Sequence, residues 1–218
     1  MNIHRSEDVG QRAPQQDRSR RNQEKLLQAG RKLLATVNLD VLKVEDICEA
    51  AGLTTGAFYR RFVGKEAYFN ALQEACFSDA FVGKARLARG EHQSFEQNLD
   101  AYHQRAIGWM RAHQGVLRAV MHRMSGLPGG DNPFVHARRG SDKFLRQTAF
   151  AHYRVAPSPE AERVVSSANQ LLFGMLSAML ITDPGPYRLT DPDLPERLTR
   201  IMIVYLDAFL KPMGETGR

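Results

Sequence analysis

The sequence predicts an all-α protein, with a small helical unit at its N-terminal end and a larger helical domain after it. Apolar residues recur at three- and four-residue intervals along most of the chain, the spacing that lines one face of an α-helix. No stretch alternates apolar and polar residues for long enough to make a strand. Gly and Pro clusters punctuate the periodic stretches, at 126–133, 156–159 and 183–186.

Residues 1–17 lack apolar periodicity and are expected to form a flexible arm. Helical spacing starts near Ser19 and carries Leu26, Leu27, Gly30, Leu33, Leu34 and Val37. Asn38 is the expected stop, in a left-handed conformation. Val44, Ile47, Cys48 and Ala51 then share one face of a helix of about two turns. Gly52 follows, where glycine accepts a positive φ at no steric cost. Thr54 stands where it can cap a second short helix over 55–60, which 62–64 breaks. A longer helix starts near Lys65 and carries Leu72, Ala75, Cys76 and Ala80, before a polar linker over 84–93. From Phe95 a long helix holds Leu99, Tyr102, Ala106, Trp109 and Met110, and a second apolar set runs from Val116 to Met124. Further helices are expected at 134–153, 160–182 and 194–210.

Composition narrows the function. The 218 residues include 30 Lys and Arg against 24 Asp and Glu, a formal net charge of +6. Hydrophobic residues at 43% and charged residues at 25% exclude a disordered tail, a collagen-like chain and a disulfide scaffold. Cys48 and Cys76 form no CxxC pair, and the seven histidines show no HxxxH or HExxH spacing, so no metal or other cofactor is expected. The first 25 residues hold no signal-peptide apolar core, and the longest apolar stretch, 171–181, is too short to cross a bilayer. A cytoplasmic protein with no membrane partner is therefore expected.

The stretch 44–62 has the layout of a helix-turn-helix. Its second helix begins with small residues, Thr55, Gly56 and Ala57, which let a backbone approach another surface closely. Free N–H groups at such a helix start favour an anion such as a phosphate. Thr54 and Tyr59 can donate to phosphate oxygens, while Thr55 and Ala57 can touch base edges or thymine methyls. Upstream, residues 18–32 hold six basic side chains, Arg18, Arg20, Arg21, Lys25, Arg31 and Lys32, and one acidic one, Glu24. Such a run can follow a DNA backbone or enter a minor groove. Residues 1–70 carry 12 basic and 9 acidic side chains and residues 71–218 carry 18 and 15, so the case rests on local placement rather than on overall charge.

In these residues the sequence resembles the TetR family of bacterial transcriptional regulators. The similar positions are Leu26, Leu27, Ala29 and Leu33, then Val44, Asp46, Ile47 and Ala50-Ala51-Gly52-Leu53, then Thr54-Thr55-Gly56-Ala57-Phe58-Tyr59, then Phe62 and Lys65-Glu66. They span roughly residues 19–72. Lys43 stands where the family often has Ser or Thr, with Asp40 as an alternative cap; Asn38 stands where many have Gly, and Arg60 and Arg61 where His is common. The resemblance implies a DNA-binding domain over 18–64 and an effector-binding and dimerisation domain over 65–218. Thr55, Ala57 and one of Phe58 and Tyr59 would face the major groove, with Gly56 in the same DNA-binding set. Thr54, Tyr59, Arg60 and Lys65 would hold phosphates. Ala50, Leu53, Phe58 and Phe62 compete as core, and core is favoured for Phe58.

The implied protein is a dimeric regulator, a repressor released from a pseudo-palindromic double-stranded operator by a small effector. The resemblance implies that the last two helices pair with those of a second chain as a four-helix bundle. Trp109, Met110, Met121, Met124, Phe134, Phe144, Phe150 and Phe173 are apolar candidates for an effector pocket. His103, His113 and His122 are candidates to orient a polar group of a largely apolar or aromatic ligand. Two other readings stay open: an activator or nucleoid-associated protein without an effector, and a helical enzyme. Against the enzyme stand the absence of a nucleophile elbow, a phosphate-cradling glycine loop and a metal constellation.

Overall fold

The computed structural model describes residues 12–87, 94–124, 133–182 and 185–216. Among the described residues are eight helices and no strand. They are α1 (Arg12–Leu33), α2 (Val44–Ala51), α3 (Thr55–Tyr59), α4 (Lys65–Leu87), α5 (Phe95–Met124), α6 (Pro133–Tyr153), α7 (Pro159–Ile181) and α8 (Leu194–Thr216). The chain divides into two compact units, Met1–Ala75 and Cys76–Arg218.

The first unit is built on one apolar core. Leu26 and Ala29 of α1 are buried, as are Val44, Ile47 and Cys48 of α2, Phe58 of α3, and Tyr68, Phe69 and Leu72 of α4. Phe58, Phe62 and Tyr68 form an aromatic cluster with centroids 5.2 to 5.3 Å apart. The Tyr68 hydroxyl donates to the Leu26 carbonyl at 2.7 Å, which satisfies a polar group that would otherwise be costly to bury. Gly30 makes room for it: a Cβ there would lie 1.9 Å from the Tyr68 oxygen.

The second unit packs α5, α6, α7 and α8 through wide apolar faces, with Leu99, Ile107, Leu117, Leu145, Val165, Leu198 and Leu206 all buried. Ser158 caps α7 by accepting from the Ala161 N–H at 3.1 Å, and Pro159 follows at the first helical position. α6 ends at Arg154, which takes a left-handed φ of 55°, and the Val155 N–H closes back on the Phe150 carbonyl at 3.1 Å. Arg111 of α5 reaches the loop before α8, donating to the Asp191 carbonyl at 2.8 Å and also to that of Leu189. Helix α7 is long and apolar enough to cross a membrane, yet its Val165, Leu172, Leu176 and Leu180 side chains are buried in the unit.

Four boundaries differ from the sequence reading. Helix α1 starts at Arg12, so residues 12–17 of the expected flexible arm are helical, and 1–11 lie outside the described residues. Pro14 falls in the first turn, where its missing N–H would have no intrahelical partner anyway. Asn38 is not left-handed. Helix α1 ends at Leu33 through tight turns, with Ala35 N–H on Lys32 O and Thr36 N–H on Leu33 O, and these use the terminal carbonyls without a special residue. The expected linker is shorter, because α4 continues to Leu87; residues 88–93 lie outside the described ones, as do 125–132 of the 126–133 loop. Helix α8 runs past Leu210 and Pro212 to Thr216. Gly214 permits this: a Cβ there would come within 2.3 Å of the Tyr153 carbonyl oxygen.

Candidate nucleic-acid interface

The turn between α2 and α3 is set by local chemistry. Gly52 takes φ 64°, and the N–H groups of Gly52 and Leu53 bond the Glu49 and Cys48 carbonyls at 3.0 and 2.9 Å. At the other end of α2 the Asp46 carboxylate accepts from the Lys43 N–H at 3.2 Å. The expected cap at Asp40 is therefore replaced by Asp46 reaching back, half of a capping box. The Thr54 hydroxyl accepts from the Ala57 N–H at 3.2 Å and starts α3.

Phe58, with no exposed surface, anchors α3 to the core and leaves the opposite face to solvent. That face carries Thr54, Thr55, Gly56, Tyr59 and Arg60, all exposed, with Ala57 half-buried. The Tyr59 ring is 56% exposed and stands edge-on against Phe58, with centroids 5.4 Å apart. Gly56 has open space: the nearest atom to an added Cβ would be Thr54 Oγ1 at 3.8 Å. Nothing within the unit requires a glycine there. Ala50, offered as core, is exposed; Leu53 is half-buried and Phe62 is buried.

The charged candidates divide. Arg18, Arg21 and Arg60 are exposed, with no ion pair among the described residues. Arg20 lies between Asp17 at 3.7 Å and Glu24 at 3.9 Å, so its field is partly neutralised. Lys65 is half-buried and its ammonium donates to the Asp40 carbonyl at 3.2 Å, tying the start of α4 to the loop before α2. Arg61, expected with Arg60 to strengthen phosphate contact, instead bonds α1: Nη1 donates to Ser19 Oγ at 3.1 Å and Nη2 to Gln23 Oε1. Local sequence holds no signal for that link. Among the described residues no three His, Cys, Asp or Glu side chains gather as a metal site.

A capped five-residue helix after a left-handed glycine, anchored by one aromatic and otherwise open to solvent, is the presented element of a helix-turn-helix. The sequence pattern of bacterial regulatory proteins, tetR family, matches residues 26–72, which covers this element and its supports. Residues 26–72 are a TetR-family domain.

No curated protein matches the chain in sequence. Solved structures extend the likeness in fold from this TetR-family domain to most of the chain. A tetR-family transcriptional regulator from Streptomyces coelicolor is 19% identical and superposes with a TM-score of 0.67, over 90% of this chain and 86% of that one. NalD of Pseudomonas aeruginosa, the secondary repressor of the MexAB-OprM multidrug efflux pump, is 20% identical with a TM-score of 0.58, over 87% and 97%. FadR of Bacillus halodurans, a fatty acid degradation regulator, is 15% identical with a TM-score of 0.56, over 84% and 94%. At these identities the likeness establishes the TetR-family regulator fold.

Within the second unit of this TetR-like fold, five of the effector-pocket candidates fall into two groups. Trp109 and Phe173 belong to an aromatic chain, Trp109–Phe77–Phe134–Phe173, with centroids 5.6, 5.1 and 5.9 Å apart. The Trp109 indole N–H donates to the Cys76 carbonyl at 2.9 Å. His103 and Phe144 belong to a second group around Tyr102, with centroids 5.3 and 5.5 Å from its ring. His103 is wholly buried, and its Nδ1 lies 2.7 Å from Thr199 Oγ1. That hydroxyl donates to the Pro195 carbonyl, so it accepts from Nδ1–H. Burial holds the imidazole neutral, with its pKa lowered to about 3. Met110 is buried, Met121 and Met124 are half-buried and His122 is exposed, and no contact above draws these four into either group.

Proposed function

We propose that the protein is a dimeric, sequence-specific transcriptional regulator of the TetR type. It acts as a repressor, and a small, largely apolar effector releases it from a pseudo-palindromic operator. The observation that carries this reading is the outward face of α3. Gly56 is small where its own chain leaves space around it, and Thr54, Thr55, Tyr59 and Arg60 surround it with donors. A surface from outside the chain accounts for that composition, and a duplex groove fits it.

Dimerisation through α7 and α8 is supported by apolar residues left open on both helices. Leu171, Ile181, Ile201, Val204 and Phe209 are about half exposed or more. A groove between the helices is lined by Leu171, Met175, Ile201 and Tyr205. Two copies placing their recognition helices about 34–36 Å apart read successive major grooves. The aromatic chain and the Tyr102 group supply apolar and aromatic surface for an effector. A coupling of about 1–3 kcal/mol between that site and the DNA face lowers operator affinity roughly 5–150-fold. The chemistry is binding rather than catalysis, in the cytoplasm and away from membranes.

The test is a gel shift with labelled duplex taken from upstream of the protein's own gene, at low salt. A retarded band that unlabelled copies of the same duplex compete away better than unrelated DNA is expected. Indifference to every duplex offered overturns the reading. Full operator affinity in the presence of each member of a library of apolar and aromatic compounds removes the effector part alone.

A further inference from the structure

Arg61 stands one turn beyond the exposed face of α3, and its backbone N–H still bonds the Phe58 carbonyl at 2.9 Å. Its guanidinium crosses to α1 and holds Ser19 and Gln23, which lie one helical turn apart on one face. The remaining polar residues of α1 sort around that strip. At about 100° per residue, Arg18, Arg21, Lys25 and Lys32 fall within one stripe, about 150° round the helix from the Ser19–Gln23 strip. All four are exposed. Arg20, with its partners Asp17 and Glu24, falls between the two, about 110° round from the strip. The Arg61 link thus grips α1 on the face away from the unbalanced positive stripe, which is left turned outward.

We propose that Arg61 is a positioning residue for DNA binding: it fixes the rotation of α1 against the recognition helix so that the Arg18–Arg21–Lys25 stripe meets the phosphate backbone beside the groove that α3 enters. This inference rests on the regulator reading above. Without the link the N-terminal half of α1 keeps its charges but loses its register to α3. A point charge falling off the backbone changes affinity once; a stripe that turns away takes several phosphate contacts with it.

Salt dependence separates these cases, because each phosphate contact adds about 0.9 to the slope of log affinity against log salt. The probe is a fluorescein-labelled mixed-sequence duplex of about 30 base pairs, long enough to cover two successive major grooves, with anisotropy read between about 50 and 200 mM salt. The decisive variant is Ser19→Ala with Gln23→Ala, which removes both acceptors of the link and no charge. Its slope is expected to fall by about two units, and that of Arg61→Ala by two to three. In the free proteins, amides 18–25 are expected to exchange with solvent about tenfold faster in both variants, with circular dichroism of the rest retained. An unchanged slope in the double variant, with Arg61→Ala falling by about one unit, would mean that Arg61 simply touches a phosphate and overturns the proposal. Unchanged exchange over 18–25 overturns it as well, whatever the DNA does. A wild-type protein that ignores the duplex defeats the regulator reading itself, an outcome visible before any variant is made.

Discussion

Gly30 and Gly56 are the same residue with opposite reasons. Gly30 is required from inside, since a Cβ would drive into the Tyr68 hydroxyl that bonds Leu26. Gly30→Ala is expected to destabilise the protein by about 1–3 kcal/mol in a denaturant titration, through overpacking and loss of that bond. Gly56 is free of internal constraint. Gly56→Ala is expected to leave stability unchanged or raise it by up to about 1 kcal/mol, while DNA affinity falls at least about tenfold. An alanine variant that binds normally would remove the argument that the small residue serves a groove. His103 gives a pH signature. Its folded pKa is near 3 against an ordinary value of 6.5, so between those limits the unfolded chain holds a proton that the folded chain refuses. Stability from this residue is complete above pH 6.5 and declines as pH falls, by at most about 1.4 kcal/mol per unit. Replacing His103 by Leu is expected to flatten the pH dependence of unfolding free energy between pH 4 and 6.5 by up to one proton, as read from urea titrations across that range.

The short elements are governed by their ends. Helix α3 has five residues, far below the length that is stable alone, and it persists because Thr54 caps it and Phe58 anchors it. Helix α2 starts less well. Lys43 occupies its N-cap position without a side-chain acceptor, and only the Asp46 carboxylate closes the box, on the Lys43 N–H. Lys43→Ser is expected to add about 0.5–1 kcal/mol of stability by giving the first turn its missing acceptor, seen as a higher melting temperature. A melting temperature that stays put or falls would mean that the Asp46 contact already satisfies this end. At the end of α6, Arg154 holds the left-handed conformation that glycine usually takes, and the Val155–Phe150 bond keeps it there.

At the scale of the molecule, the proposed pairing of two chains turns on the open apolar face of α7 and α8. Val204 is 65% exposed and Ile201 52% exposed, so a charge at either position meets water in a lone chain and apolar surface in a pair. Val204→Glu with Ile201→Glu is expected to yield a folded monomer by sedimentation, with unaltered helix content and with operator binding weakened by loss of the second half-site. A variant that still sediments as a dimer would place the interface elsewhere. Much of the architecture was legible in the residues alone. The all-α class follows from apolar spacing, and α2, Gly52, the Thr54 cap and the start of α4 at Lys65 are each specified by residues within a few positions of one another. The chemistry that specifies them, a positive φ, a side-chain cap or a periodic face, acts over one or two turns, so the linear order of residues suffices. Tertiary structure alone decided the rest. That Arg61 turns to Ser19 and Gln23, that Gly214 lets α8 run along the Tyr153 backbone, and that His103 pairs with Thr199 depend on partners about 40 to 100 positions away in the chain. A side chain finds such a partner only after the helices between them have packed, and packing depends on the shape of the whole core rather than on any stretch of it.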